Sequence, residues 1–171
     1  MDAPLSSTTM PSPVGQLTLV ATPQALVAVL WPDDKARRVP LPALISQAEH
    51  PILGQAITQL NEYFAGRRNQ FSIPLDPRGT PFQQQVWLLL RQIPYGETRT
   101  YGQLAQQLGQ PTASRAVGAA NGRNPLSIVV PCHRVIGASG KLTGFAGGLA
   151  TKQRLLDLEG NARDPHQTGG T

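Results

Sequence analysis

The sequence predicts an α+β protein, a small α/β part at the N-terminus followed by a mostly helical part that contains a helix-turn-helix. Three patterns carry that expectation. QLTLVAT (16–22) and ALVAVLW (25–31) are β-rich apolar runs separated only by Pro23 and Gln24, as in a hairpin. Ile52, Leu53, Ala56, Ile57, Leu60 and Phe64 recur at helical spacing. Two short segments, 101–109 and 113–122, each follow a threonine and are divided by Gly109 and Pro111, the pattern of two helices joined by a tight turn.

Taken in order, residues 1–13 are rich in Ser, Thr and Pro and are expected to be flexible or loosely docked. The two strands follow, then a charged, proline-punctuated loop over 32–42. The helix over 51–65 has Pro51 near its start and Gly66 just past its end, where a left-handed cap belongs. QFSIPL (70–75) is a further candidate strand, and DPRG (76–79) a turn at a domain boundary. Thr80, Pro81 and Gln83 then supply an N-cap, an N1 proline and a capping-box partner for a helix running to about Gln92, with Trp87 on its apolar face. IPYGETRT (93–100) is a turn segment. Thr100 caps the first helix of the pair and Thr112 the second.

The same pairing fits an ordinary αα-hairpin, but the second helix carries Arg115 at its start and then Ala116, Gly118, Ala119 and Ala120. Gly118 costs about 1 kcal/mol of helix stability relative to Ala, so close approach to another surface is a reason for its presence. SIVV (127–130) is an apolar, strand-like segment that delivers Cys132, and a glycine-rich loop spans 137–148. A closing helix over 151–160 turns Leu155, Leu156 and Leu158 inward and stops at Gly160. The expected organisation is one domain over 1–79, a second over 80–160, and a flexible polar tail over 161–171.

The 171 residues carry a net charge of +5, and its distribution is uneven. Basic and acidic residues balance up to Gly79, whereas from Thr80 to Leu156 Arg91, Arg99, Arg115, Arg123, Arg134, Lys141, Lys152 and Arg154 face Glu97 alone. A local, mostly arginine surplus is the footprint of a polyanion. No apolar run is long enough to cross a bilayer and the first residues lack a signal-peptide pattern, so a soluble cytoplasmic protein is expected. A single cysteine forms no internal disulfide and no thiolate-rich zinc site.

That cysteine, in PCHRV, becomes a nucleophile only with help, because an ordinary thiol is a few per cent thiolate at neutral pH. His133 and Arg134 follow it. Adjacency is not contact, since neighbours in an extended chain point apart; a turn at Pro131 or a bridging water would be needed. The acidic residues available to orient His133 are Asp157 and Glu159.

IPYGETRTYGQLA, RAVGAANGRNP, PCHRVIG and GGLATKQRLLDLEG, in this order, closely resemble the methylated-DNA–protein-cysteine methyltransferases, or O6-alkylguanine-DNA alkyltransferases. The likeness is strong over 80–160 and looser before it, through SPVGQLTLVAT, NEYFAG and the segment leading to TPFQQQVW. It implies a ribonuclease H-like first domain and a winged-helix-like second one. It further implies that Cys132 accepts an alkyl group from guanine O6, that His133 is the base acting through a water, that Glu159 orients His133, and that Tyr101 donates to guanine N3.

By the same resemblance, Arg115 fills the gap left by an extruded nucleotide, and Ala116, Gly118, Ala119, Thr100, Tyr101 and Arg123 face DNA. Asn124 braces the loop and faces the substrate, and Pro131, Val135, Phe145 and Ala146 line the base pocket. The partner is alkylated double-stranded DNA and no cofactor is implied. The protein is expected as a monomer, with cooperative assembly on DNA left open, as are activity on O4-alkylthymine and the preferred alkyl group. Two departures stand out: the N-terminal region has no cysteine and only His50, so the zinc of some members is not expected, and Phe145 stands where members often have tyrosine. The alternatives are a lesion sensor on the same scaffold and a different thiol enzyme.

Overall fold

The computed structural model describes residues 4–35 and 37–161. It divides into two units, 1–78 with Pro125–Val129, and Gly79–Asn124 with 130–171. The boundary lies at the DPRG turn, but five residues from the middle of the second half belong with the first unit.

The first unit is built on a four-stranded sheet in the order β3-β2-β1-β4. Strands β1 (Leu5–Met10), β2 (Leu17–Ala21) and β3 (Leu26–Leu30) form an antiparallel meander, and β4 (Leu44–Ser46) joins β1 in parallel. The flexibility expected for 1–13 is therefore corrected over 5–10, because β1 is an interior strand of the sheet; residues 1–3 lie outside the described ones. LSSTTM lacks an apolar run, yet its ends Leu5 and Met10 are buried and its amides are spent on two neighbours. Leu5, Val20, Val27 and Ala28 pack together under Leu30, Val39 and Leu41.

Helix α1 (Pro51–Phe64) packs on β1, β2 and β3. His50 caps it, its Nδ1 accepting from the amides of Ile52 and Leu53 at 3.2 and 3.4 Å. Gly66 closes it at φ +76°, a conformation that favours glycine. QFSIPL is not a strand. It forms only a single bridge, Leu75 to Leu26, and is otherwise held by Gln59, whose amide brackets Ser72. Pro74 has no N–H to extend a ladder.

The second unit carries α2 (Pro81–Arg91), β5 (Arg99–Thr100), α3 (Tyr101–Gln107), α4 (Ser114–Gly122), a 3₁₀ turn (Cys132–Arg134), β6 (Val135–Ile136) and α5 (Leu149–Asn161). The predicted capping box of Thr80 with Gln83 forms, and Thr100, expected only as an N-cap, makes a second one with Gln103. Thr112 caps nothing: α4 starts after Ala113 without a side-chain cap. The segment read as a turn ends in β5, which pairs in parallel with β6. Trp87 is buried and its Nε1 donates to the Ala120 carbonyl at 2.9 Å, fixing α2 to α4.

Two further expectations change. SIVV is buried but not a strand, because Ile128 has φ 73° and the Val129 amide donates to the Ser127 carbonyl at 2.9 Å, a strained γ-turn. On α5, Leu155 is buried whereas Leu156 and Leu158 are only half-buried; the other residues turned inward are Lys152 and Glu159. The helix also passes Gly160 to end at Asn161. The remainder of the expected tail lies outside the described residues.

Candidate active site

The chain reaches Cys132 through a second tight turn. Pro131 has φ −81° and ψ 66°, and the Cys132 amide donates to the Val130 carbonyl at 2.8 Å, the geometry of an inverse γ-turn. Asn124 donates from Nδ2 to the same carbonyl at 2.8 Å, which braces the turn from the end of α4. Around Cys132 the chain is thus turned at Pro131 and wound as a 3₁₀ turn, not extended. Cys132 itself is 5% exposed.

His133 is fully buried, and its Nε2 lies 2.7 Å from Glu159 Oε2. Glu159 also receives both arms of Arg134, Nε at 2.7 Å and Nη2 at 3.0 Å, while Arg134 Nη1 donates to the Ile93 carbonyl at 2.7 Å. The Arg134 guanidinium lies 5.6 Å from the centre of the Tyr95 ring. Burial would raise the Glu159 pKa, but the hydrogen bonds and charges of His133 and Arg134 outweigh it and hold the carboxyl at about 2. Burial pushes the His133 pKa below 6.5 despite the pull of Glu159.

These two directions fix the proton. An ionised carboxylate only accepts, so a neutral His133 carries its hydrogen on Nε2 and presents a lone pair at Nδ1. Nδ1 is buried and has no hydrogen-bond partner among the described residues. The result is an imidazole whose tautomer is set from one side and whose Nδ1 lone pair has no partner among the described residues.

The shifts also set an acid limit on the fold. A group whose pKa is lower folded than unfolded adds stability above its unfolded pKa and loses it as the pH falls. For His133 that loss begins below 6.5, and for Glu159 below 4.5 and on toward about 2. Urea denaturation should therefore show stability falling from about pH 7 downward, with a shallower fall below about pH 4.5 in Glu159→Gln. Equal slopes for the two proteins would contradict the assignment.

On α4, Arg115, Ala116 and Ala119 are exposed on one face, whereas Val117, Ala120 and Asn121 are buried. Ala120 thus belongs to the core and not to the outward face. Gly118 is half-buried, and a Cβ there would meet the Tyr101 ring at an ordinary 3.6 Å. Arg123, just after α4, is exposed, and Thr100 is half-buried. Tyr101 opens α3 half-buried, its hydroxyl 2.6 Å from Thr143 Oγ1. Pro131 and Val135 are buried, Phe145 is half-buried and Ala146 exposed.

Sequence reasoning named Arg134 beside Cys132 without its link to Glu159, and passed over Asn121, Thr143 and Lys152. Arg134 anchors Glu159; its position in PCHRV was the available signal, but pairing across 25 residues has none. Asn121, buried on α4, donates to the Cys132 carbonyl at 3.4 Å. Lys152 is fully buried, its ammonium 3.5 Å from the Thr143 carbonyl and 5.8 Å from the Phe145 ring centre. Among the described residues no group of three His, Cys, Asp or Glu side chains could hold a metal, and no helix is long and apolar enough to cross a membrane.

Comparison with known proteins adds a separate line of evidence. Residues 5–77 match the family described as 6-O-methylguanine DNA methyltransferase, ribonuclease-like domain, and residues 81–161 match its DNA binding domain. The methylated-DNA–protein-cysteine methyltransferase of Mycolicibacterium paratuberculosis is 52% identical over 152 residues, covering 88% of this chain and 90% of that protein. The protein of the same name from Methanosarcina acetivorans is 49% identical over 150 residues, covering 88% and 95%. The crystal structure of Mycobacterium tuberculosis OGT in complex with DNA superposes with a TM-score of 0.85 at 46% identity, over 97% of this chain and 99% of that one.

Proposed function

The chain belongs to the 6-O-methylguanine DNA methyltransferase family, and on that premise we propose that it repairs DNA by moving the alkyl group of an O6-alkylguanine onto Cys132, once per molecule. The observation that carries this reading is the unused Nδ1 of a buried His133 whose other nitrogen is committed to Glu159, next to the chain's single cysteine.

Through a water, Nδ1 takes the proton of the Cys132 thiol. The thiolate sulfur attacks the saturated carbon on O6, an S–C bond forms and the C–O6 bond breaks with its electron pair passing to the purine. Tyr101 donates a hydrogen bond to guanine N3, which takes up part of that charge. The product, a thioether, offers water no carbonyl or phosphorus, so the cysteine is consumed. An O6 inside the stack is out of reach of any side chain, so the base must rotate out at a cost of a few kcal/mol.

Arg115 takes the vacated place. Ala116 and Ala119, exposed beside it, and Gly118 keep α4 slim enough for a minor groove about 6 Å wide. Thr100 and Arg123 contact the DNA backbone. Asn124, Pro131, Val135, Phe145 and Ala146 surround the extruded base, and one monomer suffices. In domain terms, 80–160 binds DNA and transfers the alkyl group.

Titrating the protein with duplex containing O6-methylguanine tests this directly. Repair should stop at one lesion per protein molecule, and continued turnover would reject the reading in favour of a hydrolytic thiol enzyme. Arg115→Ala should slow transfer from duplex by roughly tenfold or more while leaving transfer from free O6-alkylguanine base nearly unchanged, as expected for a few kcal/mol of extrusion that Arg115 offsets. Equal losses on both substrates would remove Arg115 from that role.

A further inference from the structure

Tyr101, at the start of α3, meets Thr143 of the 137–148 loop. The two hydroxyl oxygens are 2.6 Å apart, short enough for a strong hydrogen bond in which either can donate. Thr143 is not free to wander. The ammonium of Lys152, buried in the first turns of α5, lies 3.5 Å from its carbonyl oxygen and over the neighbouring Phe145 ring. The hydroxyl of a loop residue is thus applied to Tyr101 from a backbone position fixed by a helix.

A phenol has one hydrogen to give. If Tyr101 gives it to Thr143, none is left for a purine nitrogen; if Thr143 gives its own to the Tyr101 oxygen, the phenolic hydrogen is free and the phenol is a better donor, because linked hydrogen bonds polarise one another. We propose that Thr143 is a positioning residue for the leaving group, donating its Oγ1 hydrogen to the Tyr101 oxygen so that Tyr101 donates to guanine N3 as the C–O6 bond breaks. No proton need leave Thr143. Its effect is to orient the phenolic hydrogen and to stabilise negative charge as it builds up on the purine and is shared with the phenol oxygen. This rests on Tyr101 being the N3 donor.

The test is a cycle of single-turnover transfer rates from O6-methylguanine duplex, with DNA affinity measured alongside. Thr143→Val keeps the shape and deletes the hydroxyl; it should slow transfer about tenfold, the rate equivalent of roughly one hydrogen bond, at unchanged DNA affinity. In a Tyr101→Phe background the same substitution should cost nothing further, and Thr143→Ser should restore most of the rate. An unchanged rate in Thr143→Val, or an equal loss with and without the Tyr101 hydroxyl, overturns the proposal while leaving the role of Tyr101 intact. If Tyr101→Phe alone transfers as fast as the parent, the N3 assignment falls and this inference with it.

Discussion

Cys132→Ser should leave a protein that binds O6-methylguanine DNA and never gains mass. Intact mass measurement after mixing should give one added methyl group on the parent protein and none on the variant, with the transfer rate reduced by more than about a thousandfold, as for other removals of an enzymatic nucleophile. The serine is nearly isosteric, so the 5% exposed position can be filled without a cavity and the Arg134–Glu159 pair is untouched. What changes is the proton. A neutral His133 can draw a proton from a thiol through water, but an aliphatic hydroxyl is far less acidic and its oxygen a poorer nucleophile toward saturated carbon. A methylated serine variant, or a parent that repairs the duplex without gaining mass, would refute Cys132 as the acceptor.

Arg134→Ala should produce the largest loss of stability of any single charge removal in the second unit. Its guanidinium supplies two of the hydrogen bonds that hold Glu159, and both partners are buried, with side chains 8% and 1% exposed. Removing one member of such a pair leaves an uncompensated buried charge and costs about 3–5 kcal/mol, more than any exposed ion pair in the chain. For a protein of this size that corresponds to a fall in Tm of roughly 6–20 °C. Adding Glu159→Gln to the same background removes the stranded charge and should return part of the loss. A cost below about 1 kcal/mol in urea denaturation would mean that Arg134 does not hold the carboxylate. Transfer should weaken in parallel, since Glu159 sets the tautomer of His133.

The parts legible in the sequence are those whose signals are local. Thr80 with Gln83 makes the capping box its spacing predicts, and Thr100 caps α3 as expected, both signals lying within four residues. The hairpin of β2 and β3 and the apolar face of α1 are likewise carried by residues a turn or a strand apart. The failures have a common physical cause. LSSTTM pairs on both sides because β2 and β4 come to it, and no pattern within these six residues, four of them polar, reports that. Thr112 looks as good a cap as Thr100, but α4 begins two residues later. Around Cys132 the motif singled out the cysteine and His133, and resemblance singled out Glu159, which lies 2.7 Å from the His133 Nε2. The pairings of Arg134, Lys152 and Thr143 were not visible because they are made by α5 and the 137–148 loop.

The five residues Pro125–Val129 also bear on how the chain comes to be folded. They belong to the first unit, where the Val29 amide of the edge strand β3 donates to the Pro125 carbonyl at 2.9 Å and Leu126 and Ile128 are buried. A ribosome releases them only after α2, α3 and α4 have been made. Until then the edge strand β3 lacks the partner of its Val29 amide, so the first unit cannot be completed in the order in which it is synthesised. The segment that finishes the first unit leads directly into Pro131 and Cys132.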